Sequence, residues 1–161
     1  MKQSKTNAMR ILDREKVGYT LREFPLDGER AAVHLGIPAD QLFKTLVTTD
    51  TQGGYYVFCI PSGRELDLKK AAQAVSVKRI EMLPQKELLK LTGYVHGGCS
   101  PVGMKKLLPT VVDESYGDWE TVLVSAGRLG MLMELEPGQL IKAVKAQVRD
   151  VLKQTGGEDR G

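Results

Sequence analysis

The chain has 161 residues, of which 42% are hydrophobic and 27% charged, with a formal net charge of +3. That length fits one domain, and the apolar content is enough to build a core. No apolar run approaches the ~20 residues of a membrane-spanning helix, and so mild a positive charge does not by itself indicate nucleic-acid binding.

Ser4 or Thr6 can cap a first helix running to about Lys16, with Ala8, Met9, Leu12 and Val17 on one stripe and Gly18 as its stop. Tyr19 to Phe24 alternates like a strand, and Pro25 and Asp27-Gly28 form the turn after it. Glu29 to Leu35 is a short helix ended by Gly36. Lys44 to Thr49 and Tyr55 to Ile60 are strands joined by the turn sequence Asp50-Thr-Gln-Gly-Gly54, and Pro61-Ser-Gly63 breaks the second. Asp67 can cap a helix through Ala74, Ser76 to Ile80 is a connection or short strand, and Pro84 to Leu91 is helical. Thr110 to Asp113, Thr121 to Val124 and Met131 to Leu135 are short β-type runs. Pro137-Gly138 opens a last helix from Gln139 to about Gln154, with Leu140, Ile141, Val144, Val148 and Leu152 at helical spacing. Hairpins and helices mix without βαβ alternation, which predicts an α+β fold.

Between the helical segment and Lys105-Lys106 lies Tyr94-Val-His-Gly-Gly-Cys-Ser-Pro-Val-Gly103. Glycines allow backbone amides to approach a ligand closely, and such amides can hold a carbonyl, carboxylate or phosphate; a tight surface turn is the alternative. Lys44, at the mouth of a strand, can present its ammonium to a ligand or simply to water. Ser125, closing a strand, can hydrogen-bond a substrate or cap a turn. Phe24 fits the core most simply. Cys99 with His96 three residues away suggests a thiolate nucleophile, but no third group to orient the pair is evident. Cys59, between Phe58 and Ile60, fits a buried thiol. His34, Cys59, His96 and Cys99 lack the paired spacing of a metal site, and no cofactor motif is present, so neither metal nor cofactor is expected. Two cysteines and no apolar leader fit a cytoplasmic protein.

Gly93-Tyr94, Gly97 to Gly103 and Lys105-Lys106 resemble the signature of the YbaK family, free-standing aminoacyl-tRNA deacylases related to the editing domain of bacterial prolyl-tRNA synthetases. Phe43-Lys-Thr-Leu46, Leu66 to Ala72 and Val124-Ser-Ala-Gly-Arg128 match further blocks in the same order. The resemblance implies a mixed, barrel-like β-sheet surrounded by helices, within one domain expected over residues 1–154 and followed by a polar tail at 155–161. It implies hydrolysis of mischarged Cys-tRNA(Pro), and of Cys-tRNA(Cys) as a further substrate, with help from the substrate's own thiol. The rivals are an Ala-tRNA(Pro) deacylase and a non-catalytic module that binds a synthetase or tRNA. It also implies catalytic roles for Lys44 and Ser125, and substrate contacts at Phe24, Thr45, Gly97, Gly98, Cys99, Ser100, Pro101, Gly103 and Gly127. The expected partners are tRNA(Pro) in its aminoacylated form and prolyl-tRNA synthetase, without DNA or membrane. One departure stands out: Leu132 occupies a position that is often acidic in the family.

Overall fold

A computed structural model describes residues 4–25 and 31–154. The expected Asp27-Gly28 turn, the first residues of the expected 29–35 helix and the 155–161 tail fall outside these segments. Helix α1 spans Asn7–Arg14 and buries Ala8, Met9 and Leu12. Its cap, Thr6, works in two directions. The side-chain oxygen accepts from the Met9 amide at 3.2 Å, and the hydroxyl donates to the Ala126 carbonyl at 2.5 Å. The cap therefore ties the helix to a distant strand end. Lys16 takes the left-handed turn (φ 61°) that ends the helix, two residues before the expected Gly18.

Among the described residues, eight strands form two sheets. In the first, β1 (Thr20–Glu23) pairs antiparallel with β7 (Met131–Leu135), which pairs antiparallel with β6 (Val122–Ser125). In the second the order is β4 (Glu81–Met82), β2 (Phe43–Thr49), β3 (Tyr55–Pro61), β5 (Thr110–Asp113) and β8 (Gln147–Arg149). The β2–β3 hairpin closes as expected, because the Asp50 carboxylate accepts from the amides of Gln52 and Gly54, each at 2.8 Å. The β3–β5 and β5–β8 pairings are parallel, so the sheet is mixed. The two sheets meet where Leu42 bridges to Leu123; among the described residues they do not close into a full barrel.

Strand β3 shows why its sequence is apolar without alternation. Val57 and Cys59 join the core between the sheets, with Phe43, Val122, Val124 and Met133. Phe58 and Ile60 point to the opposite core, covered by Ala71 and Ala72 of α3 (Leu68–Ala74). A strand covered on both faces has no solvent side to mark with polar residues. Helices α2 (Ala31–Leu35), α4 (Leu88–Thr92) and α5 (Pro137–Val144) complete the shell, with a 3-10 turn at Gln85–Glu87 leading into α4.

The expected helix to Gln154 is corrected. Helix α5 stops at Val144, Lys145 turns left-handed (φ 54°), and the chain continues as β8. Val148 and Leu152 are four apart, a spacing shared by one helix face and one strand face, so periodicity could not separate them. Tertiary pairing decides. Strand β5 would otherwise expose an edge, and Val148 sits opposite Val112 on it. The buried Asp113 carboxylate accepts from the Val151 amide at 3.0 Å and fixes the turn beyond.

Candidate functional site

A cavity of about 270 Å³ opens where β2, the end of β6, the start of α4 and the glycine loop converge. Phe24, which follows β1, and Ala31 of α2 stand at one side. Lys44 and Thr45 come from the start of β2, whose register is locked by Lys44 opposite Ile60 and Thr45 opposite Cys59. Ser125 comes from the last position of β6, directly across from Leu132 on β7. His96, Gly97 and Cys99 come from the glycine loop. Most of the remaining wall is apolar, supplied by Leu42, Phe43, Leu46 and Leu88. A larger and more open groove of about 790 Å³ lies between α1 and β1, but its charged residues include Lys5 and Asp13 already paired with each other. The smaller cavity is the one that gathers unpaired chemistry.

Six of the residues expected to touch substrate line this cavity: Phe24, Lys44, Thr45, Gly97, Cys99 and Ser125. Five do not. Ser100 is fully buried and its hydroxyl accepts from the Val102 amide at 3.2 Å. Pro101 and Gly103 line a separate cavity of about 230 Å³ beside α1. Gly98 and Gly127 lie behind the wall, where a Cβ on Gly98 would come within 3.0 Å of the Leu129 backbone nitrogen. His96, Ser62, Leu88 and Leu132 line the cavity without having been expected in a substrate role; only assembly of the fold places them there.

The loop is held from behind. The Tyr94 hydroxyl donates to the Val102 carbonyl at 2.7 Å, and the Asn7 side-chain amide donates to the Gly103 carbonyl at 2.6 Å. Burial pushes Tyr94 up to about 12, so its phenol stays a donor. The Gly98 amide closes a turn onto the Val95 carbonyl at 2.9 Å. The amides of Gly97 and Cys99 have no acceptor among the described residues, and both residues face the cavity. These are donors waiting for an acceptor.

Thr45 adds a second such group. Its Oγ1 is buried with no hydrogen-bond partner. The Cys59 thiol lies beside it and is held down slightly by it, but not in hydrogen-bonding geometry; burial dominates and pushes Cys59 up to about 12. Burial likewise pushes Cys99 up to about 11, against a small opposing effect of Thr92. At neutral pH Cys99 is a thiol and not a thiolate, so it is a poor nucleophile. Ser125 Oγ accepts from the Gly127 amide at 3.1 Å, which fixes the turn and leaves its proton available to the cavity. Among the described residues, no Asp or Glu lines the cavity and no group of three metal-ligating side chains occurs.

Replacing Cys99 with alanine is therefore expected to change turnover of a substrate in this cavity by no more than roughly threefold, because only packing is lost. A loss of several orders of magnitude in a steady-state assay would show that the thiol reacts.

Residues 27–143 match the family model described as aminoacyl-tRNA editing domain. A protein of Enterococcus faecalis, named as a candidate Cys-tRNA(Pro)/Cys-tRNA(Cys) deacylase, is 44% identical over 154 residues, covering 92% of this chain and 94% of its own. A proline–tRNA ligase of Pelobacter propionicus is 26% identical over 100 residues, which are 62% of this chain and 17% of the ligase. A crystal structure of a candidate trans-editing enzyme for prolyl-tRNA synthetase superposes with a TM-score of 0.82 at 28% identity, covering 94% of this chain and all of the other.

Proposed function

The chain belongs to the aminoacyl-tRNA editing domain family, and from that premise we propose that it is a deacylase that hydrolyses the ester of cysteine mischarged onto tRNA(Pro). The observation that carries the reading is a small, mostly apolar cavity that among the described residues has two unused backbone amides, an ammonium and no carboxylate. An aminoacyl ester is already activated. Its cleavage needs a held carbonyl and an aligned attacking group more than a strong protein base.

In this reading the ester carbonyl faces the amides of Gly97 and Cys99, and Lys44 stabilises the negative charge that develops on it. The Ser125 hydroxyl holds a polar atom of the amino acid, and the Thr45 side chain packs beside it. Phe24 and Leu132 wall the side-chain end, where an apolar surface accepts a thiol and rejects a charged side chain. The substrate thiol attacks the carbonyl carbon, the carbon–sulfur bond forms and the ester carbon–oxygen bond breaks. The thiol proton ends on the ribose oxygen, and the amino acid leaves as a thiolactone. This route needs no Cys–His pair and no carboxylate at position 132. Recognition of tRNA(Pro) by way of prolyl-tRNA synthetase fits the likeness to a trans-editing enzyme, and action in the cytoplasm follows from the substrate.

The test is to incubate the purified protein without added metal with cysteine- and alanine-charged tRNA(Pro), and to follow loss of each. Rapid loss of the cysteine ester alone is expected. Preference for the alanine ester would remove the thiol-assisted route, and loss of neither would leave a binding module.

A further inference from the structure

One side chain at the cavity has no part in the ester chemistry above. His96 is exposed, lines the cavity, and makes no hydrogen bond or ion pair among the described residues. Its backbone is not loose, since the Gly98–Val95 turn brackets it and Gly97 packs against Leu129. Among the described residues, His96 and Lys44 are the two lining side chains that can carry positive charge, and no carboxylate lines the cavity beside them. An imidazole donates at least one N–H in either protonation state and two when charged.

Position along the loop gives the imidazole its ligand. Cys99 is buried while Gly97 and His96 are exposed, and all three line the cavity, so the loop passes from the interior outward along its wall with His96 at the exposed end. A substrate whose carbonyl meets the amides of Gly97 and Cys99 must lead its nucleotide out past the mouth. The first anion on that path is the phosphodiester joining the last two nucleotides. We propose that His96 binds this phosphate and so positions the terminal adenosine, an assignment that rests on the deacylase reading. Lys44 then serves the ester, and His96 serves the strand that delivers it.

The test uses three cysteine esters: of adenosine, which has no phosphate; of the dinucleotide cytidylyl-adenosine, which has one phosphodiester; and of tRNA(Pro). His96→Ala is expected to raise KM roughly tenfold on the dinucleotide and the tRNA, as for loss of a hydrogen bond to a charged group. It should leave kcat, and all kinetics on the adenosine ester, within twofold of wild type. His96→Arg, which keeps a donor to phosphate, should recover most of the loss. Unchanged or equal effects across all three esters overturn the assignment. A loss on the tRNA alone overturns it too, because the contact would then lie farther along the strand. A wild-type protein inactive on all three esters would instead overturn the deacylase reading, and this assignment with it. Activity of His96→Ala on the adenosine ester doubles as proof that the variant folds.

Discussion

Replacing Lys44 with alanine is expected to lower kcat/KM for Cys-tRNA(Pro) by roughly a hundredfold to a thousandfold, the loss typical of removing one preorganised donor to a developing oxyanion. Among the described residues Lys44 is the only ammonium lining the cavity, and no described carboxylate forms an ion pair with it. No described residue therefore neutralises its charge. The strand that carries it is fixed by seven residues of antiparallel register, from Phe43–Pro61 to Thr49–Tyr55, so the ammonium starts from a rigid base. The side chain is only half-buried, and truncation should leave the fold intact. Melting temperatures of the two proteins should thus agree while turnover separates them. A fall in kcat at constant KM would place the charge at the transition state, and a rise in KM alone would make it a ground-state anchor. Lys44→Arg keeps the charge but spreads it over a planar fork, and should recover only part of the rate. Unchanged deacylation by Lys44→Ala would remove the residue from the reaction.

What was legible in the sequence divides along the line between local and non-local forces. Asp67 capping a helix that ends at Ala74 needs nothing beyond its neighbours: its carboxylate accepts from the amides of Lys69 and Lys70, and the helix has the expected bounds. The Asp50–Gly54 turn is equally local, and Thr110–Asp113 and Met131–Leu135 have the expected bounds. Strand β8 is the opposite case, since its conformation is set by an edge more than thirty residues earlier in the chain. The cavity is non-local as well. Phe24, Lys44, Cys99 and Ser125 come from four separate segments, and spacing alone could not have joined them. Their inclusion came from ordered motifs resembling a family, and not from periodicity or charge.

The glycines show a subtler limit. Sequence marks where a Cβ is excluded but not what excludes it. At Gly103 it is the start of α1, with the Ala8 nitrogen 3.0 Å from where a Cβ would sit. At Gly98 it is the backbone of Arg128 and Leu129. Both were expected to contact substrate, yet both pack the loop against protein. Their place in the motif is then understood one step back from the ligand: they bring the loop close enough that Gly97 and Cys99 can face the cavity.

Gly127 carries this reasoning to a measurable consequence. It has φ +97°, a conformation that L side chains rarely adopt, and a Cβ there would come within 2.7 Å of Tyr94 Cε1. The ring has little room to retreat, because Tyr94 is only 6% exposed and its hydroxyl is held by the Val102 carbonyl. Backbone strain and overpacking each cost on the order of 1–3 kcal/mol, so Gly127→Ala should destabilise the protein by about 3 kcal/mol. For a domain of this size that lowers the melting temperature by roughly 10 °C. Gly117→Ala is the matched control: a Cβ at Gly117 meets nothing within 4 Å, and its φ lies outside the left-handed range. That change should fall within about 0.5 kcal/mol of wild type. The Gly127 variant should also lose activity below its melting temperature, since a displaced Tyr94 releases the loop that presents Gly97 and Cys99. Urea unfolding and deacylation measured side by side would separate the two effects. If the two alanine variants unfold alike, Tyr94 is not packed against Gly127 as described, and the rigid support of the loop has to be sought elsewhere.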